Sequence, residues 1–204
     1  NSQAELPGKK VVQTLIARGI AKDERPEGAV IVKIDELLDL KQEKYRVMVV
    51  LRSDGTALYA TEDLALAIEK FNDYPDLVKS LYVVDVRQSL HFQQVFKTLE
   101  IAGFEWAHRC KHVPYELVNL PGNVVMASRE GTIVLLEDLI NEAVERAYQV
   151  VIQKNPDLSE ESKRQIATAV GIGAIKYPMM ARENTKIVTF DWENPKEILK
   201  TLRD

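Results

Sequence analysis

The chain has 204 residues, 46% hydrophobic and 28% charged, enough to bury a core in one or two domains. A formal net charge of −4 excludes broad, sequence-independent nucleic-acid binding, DNA included, though not a local RNA contact. The single Cys110 excludes an intramolecular disulfide, no apolar run approaches the roughly 18 residues of a membrane span, and the polar amino end does not read as a signal peptide, so the expected compartment is the cytoplasm.

Residues 9–18 have helical spacing, and Gly19 is placed to end that helix. Residues 29–34 and 46–51 are β-branched runs that read as strands, the second too apolar to be half exposed. Ser53-Asp54-Gly55-Thr56 is a tight turn in which glycine supplies the unusual backbone angle. A helix is expected from an N-cap at Thr61 to about Asn72, a buried strand over 81–85, and a helix from Ser89 to Ala102 ended by Gly103. Strand and helix alternating in this way favour an α/β fold with a Rossmann-like parallel sheet.

The pattern changes near residue 135. One long helix fits residues 136–154, stopped by Asn155-Pro156. Ser159 caps a second helix that continues past Ile175, followed by a strand-like stretch over 186–190 and a final helix from about Pro195. The expected division is therefore an α/β part, residues 1–134, and a mostly helical part, residues 135–204.

Three segments carry residues suited to chemistry, and each follows an apolar run. Ligands of doubly wound sheets sit beyond the carboxyl ends of the strands, so the three are expected to converge on one edge. In the first, Thr61 as N-cap would place Glu62 and Asp63 in the opening turn of a helix. Two readings are open: the carboxylates complement the helix dipole, or Tyr59 and Asp63 face a pocket where Asp63 accepts a planar guanidinium through two hydrogen bonds. In the second, Gln88 and His91 are spaced to share a helix face. Either they are a solvated helix start, or Gln88 bonds a substrate amine or carboxylate while His91 approaches a nucleotide. The third is the loop Met126-Ala127-Ser128-Arg129-Glu130-Gly131-Thr132, small, hydroxylated and basic. Such a loop can close over a polyphosphate with backbone N–H groups and a cation.

Other chemistries find little support. His108, Arg109, Lys111 and His112 surround Cys110, but the set is too sparse for a metal centre and reads as a solvated basic loop. No nucleophile-elbow signature and no Walker-type glycine loop occurs.

The stretch Arg52-Ser53-Asp54-Gly55-Thr56-Ala57-Leu58-Tyr59-Ala60-Thr61-Glu62-Asp63-Leu64-Ala65 resembles the Ser-Asp-Gly-Thr segment of the class I arginyl-tRNA synthetases, with its following Tyr, Thr and Asp. Residues 81–91, through Gln88 and His91, resemble the next strand and helix of that family. The 126–132 loop is similar to its variant of the Lys-Met-Ser-Lys-Ser loop. Gly171-Ile172-Gly173-Ala174-Ile175-Lys176-Tyr177 and Phe190-Asp191-Trp192 resemble further family signatures. The correspondence runs in order from about residue 10 to the end of the chain.

The resemblance implies a partial class I synthetase catalytic fold and part of an arginine–tRNA ligase, which makes arginyl-adenylate from L-arginine and ATP and then esterifies tRNA(Arg). Tyr59, Asp63 and Gln88 would bind arginine, and Ser128 and Arg129 would be the catalytic pair. His91, Met126 and Gly131 would border ATP, which would arrive with Mg²⁺, and no prosthetic group or resident metal is implied. The family's His-Ile-Gly-His-like motif does not occur here, nor does its carboxy-terminal anticodon-binding helical domain. The expectation is therefore a piece of the enzyme, inactive alone, with residues 135–204 as a helical junction. Glu130 stands where the family usually has a basic residue, which makes Arg129 the expected cation of the loop. Competing readings are a generic nucleotide-binding α/β module and a non-catalytic RNA-binding helical domain over 136–182.

Overall fold

A computed structural model describes residues 2–120, 124–125, 135–181 and 183–189. The chain divides into two compact units, residues 1–114 and 115–204.

The first unit opens with α1 (Ser2–Ala17), which starts earlier than the sequence pattern suggested. Pro7 and Gly8 argue against helix there, but tertiary contact overrides propensity. Gly8 is buried, and a Cβ on it would stand 2.7 Å from both Thr61 Cγ2 and Thr61 O. Only glycine lets α1 pass so close to the helix that carries Thr61. Gly19, at φ 71°, then turns the chain out of α1.

Strands β1 (Lys22–Asp23), β2 (Val30–Lys33) and β3 (Val47–Leu51) form a three-stranded sheet. Both pairings are antiparallel, with Val32 opposite Met48. The parallel order expected for the two apolar runs therefore does not hold at β2 and β3. Their connection contains a single short helical turn, α2 (Ile34–Leu37), where parallel neighbours normally need a full crossover helix. That crossover does exist further on. Strand β4 (Ser80–Asp85) leads through a 3₁₀ turn (Val86–Gln88) and α4 (Ser89–Ile101) to β5 (Cys110–Tyr115), and β4 and β5 pair in parallel. Between the two sheets in sequence lies α3 (Tyr59–Asp73). The molecule is thus α/β.

One core joins α1, the antiparallel sheet, α3 and α4 through Val12, Val30, Val50, Leu64, Val95 and Leu99, all 1% exposed or less. A second, aromatic cluster of Phe71, Tyr82, Phe92 and Cys110 lies under β4 and α4. Phe71 stacks on Trp106 there, with ring centroids 4.3 Å apart.

In the second unit, β6 (Val118–Leu120) pairs antiparallel with β7 (Val124–Val125) and parallel with β8 (Val188–Thr189). Helices α5 (Leu136–Lys154) and α6 (Glu160–Met180) form a hairpin whose ends agree with the sequence pattern. Asn155 is the C-cap of α5, and the Ser159 hydroxyl accepts from the Ser162 amide at the start of α6. A Cβ on Gly171 would lie 2.7 Å from the backbone of Val144, so this glycine sets how near α6 comes to α5. The helix expected from Pro195 lies outside the described residues. No helix among the described residues is long and apolar enough to cross a membrane.

Candidate functional site

The turn before α3 is built by its own residues. Asp54 Oδ1 accepts from the Thr56 amide at 2.8 Å, Gly55 takes φ 81°, and the Arg52 amide donates to Thr56 O at 3.0 Å. The returning chain meets β3 at a bridge between Leu51 and Ala57, and α3 begins two residues later.

Thr61 does not cap this helix. The N-cap is Leu58, in extended conformation and with no side-chain capping bond. Thr61 lies inside the first turn, fully buried, and its hydroxyl donates to Val50 O. A buried hydroxyl needs such a partner, and here the bond ties the start of α3 to β3. The shift of register matters for the acids. Glu62 is the acidic residue of the first turn and is suited to the helix dipole, while Asp63 falls one position deeper.

At the other helix, Asp85 accepts from the Arg87 amide (2.8 Å), from Arg87 Nε (2.9 Å) and from Arg87 Nη2 (2.8 Å). These bonds shape the 3₁₀ turn and hold the Asp85 carboxyl below the usual carboxylate range, the side-chain bond with Arg87 being the main cause. Gln88 is exposed at the N-cap of α4, still part of the 3₁₀ turn and not inside the following helix as expected. His91, one turn on, reaches α3. Its Nε2 lies 2.6 Å from Asp63 Oδ2, and each of the two side chains is about one quarter exposed. Because a carboxylate only accepts, Nε2 carries the hydrogen and donates.

Of the residues expected in an arginine and nucleotide site, the structure therefore brings Asp63 and His91 together. Tyr59 is 73% exposed at the first position of α3, four residues before Asp63 and on the same face. The expected loop residues Met126, Ser128, Arg129 and Gly131 lie outside the described residues. Among the described residues Asp63 Oδ1 accepts no hydrogen bond. The site thus offers a half-buried carboxylate with one oxygen held and one open.

The imidazole is itself held. His91 meets Phe92 edge-on, with ring centroids 5.1 Å apart, and Phe92 packs against His112 at 4.9 Å. His112 donates from Nε2 to Val84 O across the parallel pair at 2.9 Å. His108 and Arg109 close a 3₁₀ turn and Lys111 and His112 lie in β5, so the expected solvated loop is a turn and strand with Cys110 buried at its centre. Burial pushes the Cys110 thiol up and is the main cause of a larger rise at the Tyr82 phenol, so both stay protonated near neutral pH. No group of three or more His, Cys, Asp or Glu among the described residues is placed to hold a metal ion.

A shallow cavity of about 380 Å³, lined by Val78, Lys79, His108 and Arg109, opens just before β4 and β5 begin. It therefore belongs to the amino ends of the parallel strands. His91 follows the carboxyl end of β4, the side on which α/β sheets bind ligands.

Comparison with known proteins gives a consistent result. The family described as "tRNA synthetases class I (R), catalytic domain" matches residues 2–192. The chain is 46% identical over 151 residues to an arginine–tRNA ligase of Clostridium botulinum, covering 74% of this chain and 26% of that protein. It is 40% identical over 184 residues to one from Clostridium kluyveri, covering 89% of this chain and 30% of that protein. Among solved structures it is similar to the arginyl-tRNA synthetase of Thermus thermophilus, with a TM-score of 0.72 and 26% identity over 92% of this chain and 36% of that one. The Plasmodium falciparum arginyl-tRNA synthetase has the same fold over 93% of this chain, with a TM-score of 0.68.

Proposed function

The chain belongs to the class I (R) tRNA synthetase catalytic-domain family, and on that premise we propose that it contributes part of an arginine–tRNA ligase. It spans 26% and 30% of the length of the two clostridial relatives, so the complete reaction is assigned to a longer polypeptide of their kind. Residues 1–134 would belong to the catalytic domain and residues 135–204 to a helical junction, in the cytoplasm.

The observation that carries the reading is the Asp63 carboxylate on α3, one oxygen bonded to His91 just past β4 and the other unbonded among the described residues, in a chain of this family. A guanidinium presents two parallel N–H donors that match a carboxylate. Tyr59 and Gln88, at the starts of the same two helices, would contact the rest of the L-arginine. In the first step a carboxylate oxygen of arginine attacks the α-phosphorus of ATP, giving arginyl-adenylate and releasing pyrophosphate. A ribose hydroxyl of tRNA(Arg) then attacks the activated carbonyl and AMP leaves. No enzyme nucleophile is needed, so the protein works by positioning and by stabilising charge. Ser128, Arg129 and the backbone around Gly131 would hold the phosphates of ATP, bound as its Mg²⁺ complex. Met126 and His91 would border the nucleotide.

The test is an NMR titration of the chain with L-arginine, citrulline and lysine. Citrulline lacks the cationic fork, and an unpaired buried charge typically costs about 2–5 kcal/mol. The reading expects shifts with arginine only, abolished by Asp63→Asn. Equal responses to arginine and citrulline would reject it.

A further inference from the structure

The Asp63–His91 contact joins two helices through a pair that is neither sealed in the core nor exhausted by its own hydrogen bonds. Each side chain is about one quarter exposed, and the contact commits one oxygen of the carboxylate. A carboxylate has about four lone-pair sites. One imidazole N–H on Oδ2 therefore leaves room for a donor on Oδ1 and a second donor on Oδ2, the requirement of a two-pronged cation.

The choice of histidine is informative. A lysine or arginine at position 91 would pair with Asp63 and cancel its charge, leaving nothing to attract a cationic ligand. A leucine would leave the carboxylate free to rotate away. An imidazole with its hydrogen on Nε2 fixes one oxygen through a single donor. Its own orientation is set by the edge contact with Phe92, which is 4% exposed and packed against Phe96 and His112. The Tyr82 phenol on β4 is neutral, and Lys70 of α3 is occupied over the Tyr82 ring, 4.2 Å from its centroid.

We propose that His91 is a positioning residue for cation recognition, holding Asp63 Oδ2 through Nε2–H so that the carboxylate meets a guanidinium at a fixed angle. This rests on the assignment of Asp63 to the arginine site. It is separate from any contact of His91 with a nucleotide.

The experiment is arginine titration of the isotopically labelled 204-residue chain without nucleotide, for the unmodified protein and for His91→Gln, His91→Leu and His91→Lys. Core methyl resonances report folding of each variant. A hydrogen bond to a charged group contributes about 1.5–3 kcal/mol, so His91→Leu should weaken arginine about tenfold or more, while His91→Gln, which keeps an N–H donor, stays within about threefold. His91→Lys separates positioning from stability: it restores a partner for Asp63 and keeps the fold, yet should weaken arginine at least as far as His91→Leu. Equal affinity in the Gln and Leu variants, or full affinity in the Lys variant, would overturn the role of His91 alone. Absence of any arginine shift in the unmodified chain would reject the Asp63 pocket itself, and this role with it.

Discussion

Two acidic side chains, one in each unit, show how similar local chemistry serves different ends. Glu160 on α6 uses both oxygens: Oε2 accepts from the Tyr148 hydroxyl and Oε1 from Lys163 Nζ at 2.9 Å. Arg164 lies over the Tyr148 ring, 4.6 Å from its centroid, so every partner belongs to the α5–α6 hairpin. Asp63 uses one oxygen, held by the His91 imidazole. A carboxylate closed by a cation and a hydroxyl fastens two helices. A carboxylate held through one oxygen, by a histidine that follows the carboxyl end of a parallel strand, keeps its other oxygen unbonded among the described residues. The difference lies in what remains open, and it gives the comparison consequences that can be measured.

The largest expected effect is on the support beneath Asp63. Its neighbour Leu64 is 1% exposed in the core shared by α1, α3, α4 and the antiparallel sheet. Leu64→Ala should cost about 2–5 kcal/mol, through lost burial and the cavity left behind. Urea unfolding followed by tryptophan fluorescence, with Trp106 packed in the same unit, would measure it. A loss well below 1 kcal/mol would show that α3 is not anchored by this core and that Asp63 is not rigidly presented.

The hairpin offers a matched pair of glycines. A Cβ at Gly171 would approach the Val144 backbone to 2.7 Å, whereas a Cβ at Gly173 meets nothing within 4 Å. Gly171→Ala should destabilise by about 1–3 kcal/mol, because backbone cannot yield as a flexible side chain can. Gly173→Ala should stabilise by about 0.5–1 kcal/mol, from helix propensity alone. Helix content against denaturant would separate them, and equal effects would mean that the α5–α6 approach is not set at Gly171.

Much of this was legible in the sequence, for reasons that differ by element. The hairpin was readable to the residue, because Asn155-Pro156 and Ser159 are local stop and start signals that neighbours need not confirm. Gly19, Gly55 and Gly103 announced their turns equally well, and all three adopt positive φ. Strand β5 was not legible, since Cys110-Lys111-His112-Val113-Pro114-Tyr115 lacks a β-branched run and contains a proline. Only pairing with β4 makes it a strand. The register of α3 was hidden for a similar reason. Thr61 has the composition of a cap, but Val50 O offers a buried acceptor that only the folded sheet supplies. Asp63 could be singled out by type and spacing, yet its bond to His91 spans 28 residues and two helices, beyond any local pattern.

A smaller effect should appear at Thr61, where the contrast between structural and open groups can be sharpened within α3 itself. Thr61→Val keeps the shape but removes the donor to Val50 O, which still accepts from the Leu58 amide at 3.3 Å. Because that carbonyl keeps a partner, the loss should be about 1 kcal/mol. If the bond also aims α3, arginine affinity should fall in the same variant. Unchanged affinity would confine Thr61 to stability.

The smallest effect concerns pH and the closed carboxylate. The bonds from Tyr148 and Lys163 hold the Glu160 carboxyl below its ordinary value of 4.5, the Tyr148 bond being the larger cause. The sign follows from proton linkage. With the folded value depressed, the unfolded chain binds the proton more readily, so the contribution is complete above the unfolded value and is lost as pH falls through the folded one. Glu160 is well exposed, and solvent screening keeps the effect small. Comparing urea midpoints of the unmodified chain and Glu160→Gln, the difference should be present at pH 6 and shrink steadily below about pH 4.5. Asp63→Asn should show no matching loss of hairpin stability at any pH, because the hairpin owes nothing to that carboxylate. A midpoint difference for Glu160→Gln that stays constant down to pH 3 would mean that the hairpin is fastened by apolar packing alone, and the closed network would then be no better evidence of a structural role than the open one is of a ligand site.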